Sequence, residues 1–147
     1  MASLYKEGIE VFSSHISKDD IVIVAPLNWG LGHAARCIPL IEFLLSLGTK
    51  VIIASDGLSL KLLKKEFTEL PMYELPSYGI SYRYHNMALN MVLQSPTIAK
   101  AYYKELNIAK QIVSETKATV IISDNRFGFR TPTTKNYYIT HQVNILH

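Results

Sequence analysis

Short unbroken apolar runs alternate along this chain with longer stretches in which apolar residues recur at helical spacing. Ile21-Val22-Ile23-Val24-Ala25 is β-branched and apolar throughout, the pattern of a strand covered on both faces of a parallel sheet. Val51-Ile52-Ile53-Ala54 and Val120-Ile121-Ile122-Ser123 repeat it, and Met72-Tyr73-Glu74-Leu75 and Tyr137-Tyr138-Ile139 add two weaker strands. Between them, Ile38, Ile41, Leu44 and Leu45 predict a helix from about His33 to Leu47, kinked or delayed by Pro39 and stopped by Gly48. Leu58, Leu62, Leu63 and Phe67 predict a second helix, and Ile98, Tyr102, Leu106, Ala109 and Val113 a long third one ending near Lys117. The apolar segment 87–93 fits a core helix, with a membrane-facing or partner-facing patch as its alternative. The aromatic stretch 78–86 fits neither period and is a candidate binding loop.

Strands alternating with helices imply right-handed βαβ units, hence an α/β fold with a Rossmann-like parallel sheet flanked by helices. Residues 1–18 form a lead-in segment of loosely amphipathic pattern, and 19–142 form the domain. Residues 143–147 look like the start of a linker, so the expectation is a piece of a longer protein. In a parallel sheet, ligands bind beyond the carboxyl ends of the strands. His33 and Arg36, Asp56, Asp124 to Arg130, and His141 all fall at such ends.

Composition narrows the function classes. Apolar residues make up 48% and charged residues 18% of the chain, which is globular and far from disordered. The net charge of +3 suits an anionic small molecule and is too weak to argue for nucleic acid. Cys37 is the single cysteine, so there is no disulfide framework, which fits a cytoplasmic protein. No apolar run approaches the roughly 18 residues that span a bilayer, while peripheral contact with the inner face of a membrane stays open. No cluster has metal-ligand spacing.

The chemistry concentrates after the first strand. Gly30-Leu31-Gly32-His33-Ala34-Ala35 fits the dinucleotide pattern G-x-G-x-x-G/A, with Asp56 near the ribose-binding distance downstream. Against that reading, Pro26-Leu27-Asn28-Trp29 make the approach long and bulky. A histidine and an arginine also follow the second glycine, where small or apolar residues are usual. His33 brings an imidazole to the helix mouth and is a candidate general base; its bland alternative is a helix cap or a bond to a loop carbonyl. Arg36 either pairs with a phosphate or sugar carboxylate or forms a surface ion pair with Glu42 or Asp56. Asp124 either orients His33, binds a sugar hydroxyl, or turns its own backbone. Arg126 and Arg130 add positive charge, with solvated arginines as the default. Phe127 and Phe129 fit a core better than a stacking surface. His141 is either a cleft residue or a strand-end histidine.

Gly-His-x-x-Arg opening a helix after the first strand resembles the N-terminal domain of GT-B glycosyltransferases. It is nearest to the branch of the lipid-linked peptidoglycan N-acetylglucosaminyltransferase, whose loop reads G-G-T-G-G-H. The arginine three places after the histidine is similar to that of UDP-sugar hydrolases of nonulosonic-acid pathways. Ile122-Ser123-Asp124-Asn125-Arg126-Phe127-Gly128 resembles a segment of predicted bacterial glycosyltransferases. The resemblance runs from about Ile21 to Gln142. Asn28-Trp29 depart from the family's small residues, and Pro39 stands six places after the histidine, not three. The resemblance implies a cytoplasmic, acceptor-side domain, with sugar passed from a nucleotide-sugar to an acceptor hydroxyl, lipid-linked or free. It implies His33 and Asp124 as catalytic residues, and Asn28, Gly30, Gly32, Arg36, Arg126 and His141 as substrate-binding ones. No metal or further cofactor is implied, and the chain without its donor domain is expected to be inactive. Two alternatives stand beside it: a UDP-sugar hydrolase of the same fold, and a nucleotide- or dinucleotide-binding module.

Overall fold

The computed structural model describes residues 13–77 and 87–140. The aromatic stretch 78–86, most of the lead-in and His141 lie outside the described residues. Five strands, β1 (Ile21–Pro26), β2 (Lys50–Ser55), β3 (Met72–Glu74), β4 (Val120–Asp124) and β5 (Lys135–Ile139), form one sheet in the order β3-β2-β1-β4-β5. Every pairing is parallel. This is the α/β, Rossmann-like sheet that the alternation of runs predicts. Its order reverses direction at β1, so the switch point lies between β1 and β4, where Pro26 stands beside Asp124.

Strand alternation divides the core in two. Val22, Val24, Val51, Ile53, Val120 and Ile122 face Ala34, Cys37, Ile41 and Leu44 of α1 (Leu31–Ser46) and Leu63 of α2 (Gly57–Glu66). Ile23, Ala25, Ile52, Ala54 and Ile121 face Ala109, Ile112 and Val113 of α3 (Met87–Thr116) and Phe129. Both faces are buried, which is why the central strands show no polar alternation. Ile16, within the lead-in, is buried in the first of these clusters.

Helix boundaries follow local chemistry. α1 ends as the sequence predicts: Gly48 takes φ +81, its N–H donates to Leu45 O at 3.0 Å, and Thr49 N–H donates to Leu44 O at 3.3 Å, a Schellman pair. Pro39 does not delay the helix, which begins at Leu31 and carries the proline within its span at an exposed position. α3 differs from expectation at its start. Leu89, Val92 and Leu93 are exposed, so these three are not core, whereas Ala109, Ile112 and Val113 on later turns pack on the sheet. The crossover from β4 to β5 contains no helix; residues 125–134 make it as a loop whose Phe129 plugs the second cluster.

Candidate functional site

β1 reaches the switch point as a buried strand, and Leu27 N–H donates to Asp124 O at 2.9 Å, tying the outgoing loop to the end of β4. The chain then enters α1 through Gly30 at φ +82 and ψ 166, a conformation reserved in practice for glycine. No side chain caps the helix, and its first turn holds no acidic residue. A Cβ placed on Gly30 or Gly32 would meet nothing within 4 Å, so the backbone faces open space there. An uncapped helix start offers N–H groups and the positive end of the helix dipole to an anion.

Behind this opening His33, Arg36 and Asp124 converge. Asp124 is buried and accepts from Arg36 through both Nε, at 2.5 Å, and Nη2. His33 Nδ1 lies 3.0 Å from Asp124 Oδ1 and 3.3 Å from Arg36 Nη2. Nδ1 cannot donate to the carboxylate and accept from the guanidinium at once. Donation to the nearer, ionised oxygen is the stronger choice, so Nδ1 carries the proton and Nε2 the lone pair of the neutral ring. The bond to Asp124 raises the Arg36 pKa further above its ordinary value, so this guanidinium is a fixed charge. Cys37, whose Sγ lies 3.8 Å from Asp124 Oδ2, is pushed up to about 12, chiefly by burial and then by the Asp124 charge. It is an inert thiol next to the site.

A second cluster underlies the β2 side of the same sheet edge. Arg126 is buried at 1% exposure, ion-paired through separate nitrogens to Asp56 and Glu105, with Nε donating to Pro26 O at 3.2 Å. Asp56 also accepts from Ser77 Oγ at 2.6 Å and Asn28 Nδ2 at 3.4 Å. Asn28 in turn accepts from Ser59 N–H at 3.3 Å with its Oδ1, in effect capping α2. Asp56, which precedes α2, makes no capping bond of its own. Gly57, at φ +53, permits this approach, because a Cβ there would stand 2.1 Å from Asn28 Nδ2.

The structure therefore brings together four of the residues singled out from the sequence, His33, Asp124, Gly30 and Gly32, with Arg36 beside them. Arg126, read as solvated or substrate-facing, is instead the buried counter-ion of two carboxylates, and Asn28 is a brace between loops. Asp56, the ribose acid of the dinucleotide pattern, is engaged inside the protein. Phe127, read as core, is 67% exposed, whereas Phe129 is buried as expected. Sequence reasoning missed Glu105, whose one available signal was a lone acid at the i−4 position before Ala109 on the apolar stripe of α3. Among the described residues, no group of three or more His, Cys, Asp or Glu could hold a metal. No helix there is long and apolar enough to cross a membrane. A cavity of about 360 Å³ lies at the opposite, amino end of the sheet, between Ile21, Thr49, Lys50 and Pro71. Lys50 is the one charged residue in its walls, and it is remote from this chemistry.

No family model matches the chain, and no curated protein does. Among solved structures, the C-terminal domain of the PF1911 hydrogenase from Pyrococcus furiosus aligns with a TM-score of 0.50 at 8% identity, covering 84% of this chain and 92% of that one. At that identity the likeness is one of fold alone. It corrects the glycosyltransferase expectation. The architecture found in a solved structure is that of a hydrogenase domain, and no sequence family supports the resemblance built on Gly-His-x-x-Arg and Asp124-Asn125-Arg126. Both motifs are explained without sugar chemistry, as an open strand-to-helix turn backed by a charged triad and as a buried arginine lock.

Proposed function

We propose that this domain binds a nucleotide at the crevice between β1 and β4, with its phosphate over the Gly30–His33 turn. The observation that carries this reading is the open, uncapped start of α1, entered through a glycine at φ +82 and backed by Arg36, His33 and Asp124. Each part favours an anion. The helix N–H groups donate, and the glycines let the ligand approach the backbone. Arg36 is neutralised locally by Asp124, so the pair positions the histidine more than it attracts ligand. The engaged state of Asp56 argues against the dinucleotide variant of this reading, because its carboxylate already serves Arg126, Ser77 and Asn28.

The test is isothermal titration calorimetry with AMP, UMP, GMP and NAD⁺ on the wild-type chain and on Gly32→Val. The open space over Gly32 lets the variant fold while its side chain fills the phosphate position. Micromolar binding of a mononucleotide that is lost in Gly32→Val is the expected result. No binding up to millimolar concentration, or binding indifferent to Gly32→Val, overturns it.

A further inference from the structure

The two flanks of the crevice differ in what they leave open. Toward β2, the Asn28–Asp56–Arg126 network closes the edge. Toward β5, two aromatic rings stand in the open: Phe127 at 67% exposure lies against Tyr138 at 41%, with ring centroids 5.0 Å apart and an interplanar angle of 30°. The pair is anchored. Tyr138 donates from its hydroxyl to Asn125 Oδ1 at 3.2 Å, and Asn125 N–H donates to Ile139 O at 3.1 Å. Asn125 takes φ +55, which turns the chain outward straight after Asp124. The Tyr138 pKa is raised, first by burial and then by the charge of Asp124, so this ring lies within electrostatic reach of the carboxylate that holds His33 and Arg36.

We propose that Phe127 and Tyr138 form a stacking platform for the planar base of the bound nucleotide, so that the ligand runs from the start of α1 toward β5 and not toward β2. This rests on the nucleotide reading above and adds where the base lies. From β1 to β5 is two strand spacings, on the order of 10 Å, a distance that a nucleoside 5′-phosphate bridges. The inner face of Phe127 is already covered by Tyr138, which fixes the ring and leaves its outer face for a third, parallel ring. Stacking of this kind tolerates any base, so the platform predicts weak discrimination among purines and pyrimidines and strong dependence on having a base at all.

Calorimetry with AMP, UMP and GMP against ribose 5-phosphate, matched in charge, tests this on the wild-type chain, Phe127→Ala and Phe127→Trp. The expected result is that the nucleotides bind more tightly than ribose 5-phosphate, and that Phe127→Ala weakens them by roughly 5- to 150-fold while sparing ribose 5-phosphate. Phe127→Trp should retain binding, and the exposure of this residue means that thermal unfolding of both variants should match the wild type. If Phe127→Ala leaves nucleotide affinity unchanged while Gly32→Val abolishes it, the platform is wrong and the phosphate site stands. If no nucleotide binds at all, the reading of the site falls and the platform with it.

Discussion

Replacing Arg126 with methionine is the most informative single perturbation of this fold. The guanidinium is fully enclosed, and its Nη1 and Nη2 reach Glu105 and Asp56, which are themselves buried. Methionine keeps much of the volume and removes the charge, leaving two carboxylates facing each other without a cation. Removing one partner of a buried ion pair costs about 3–5 kcal/mol, while Pro26 O loses the Arg126 Nε donor and keeps the Ser55 hydroxyl. Against a typical total stability of about 5–15 kcal/mol, that is a large share. An unfolding entropy of about 2.1 cal/mol/K per residue turns it into a Tm drop of roughly 10–16 °C for a chain of 147 residues. Urea denaturation followed by circular dichroism measures it, with the midpoint falling and the slope unchanged. The control is Arg126→Met combined with Asp56→Asn and Glu105→Gln, which removes the orphaned charges and should regain at least half of the loss. A destabilisation below about 1 kcal/mol for Arg126→Met would mean that water reaches the two acids, and the argument for a lock at the sheet edge would fail.

Two further predictions concern neighbouring positions. Gly128→Ala should destabilise by about 1–3 kcal/mol in the same urea assay, because a Cβ there would stand 2.9 Å from Tyr102 O and 2.8 Å from Glu105 Oε2, and the backbone carbonyl cannot give way. Wild-type stability in the variant would show that the 125–134 loop repacks freely. Cys37 should not react with Ellman's reagent until the protein unfolds. Its folded pKa of about 12 lies above the roughly 8.5 of an unfolded thiol, so its contribution to stability is full below pH 8.5 and is lost as pH rises toward 12. Cys37→Ala should therefore flatten the pH dependence of stability between pH 9 and 11; an unchanged slope, or fast labelling of the native protein, counts against a buried neutral thiol.

The expectation of a glycosyltransferase shows how far a short motif can carry. Glycine, histidine and arginine at the mouth of a helix suit several ligands, because what they share is a positive, open helix start and not a reaction. The local parts of the motif were legible: Gly30 and Gly32 do shape an open turn, and His33, Arg36 and Asp124 do meet. Their meeting could be anticipated because all three fall at carboxyl ends of strands predicted to be parallel, and parallel strands bring those ends to one edge.

The chain by itself determines the strands, the helices, the two-faced burial of the sheet and the Schellman end at Gly48. Those features depend on periodicity and on backbone preferences that each segment carries alone. Only the tertiary structure decided which polar residues are available. Arg126 and Phe127 are adjacent in the chain, and each takes the environment expected of the other. The arginine turns inward because Asp56 and Glu105, 70 and 21 residues away, offer it two carboxylates, and the phenylalanine turns outward because Phe129 already fills the space beneath the loop. Such choices are set by partners distant in sequence, whose arrangement exists only once the sheet has assembled.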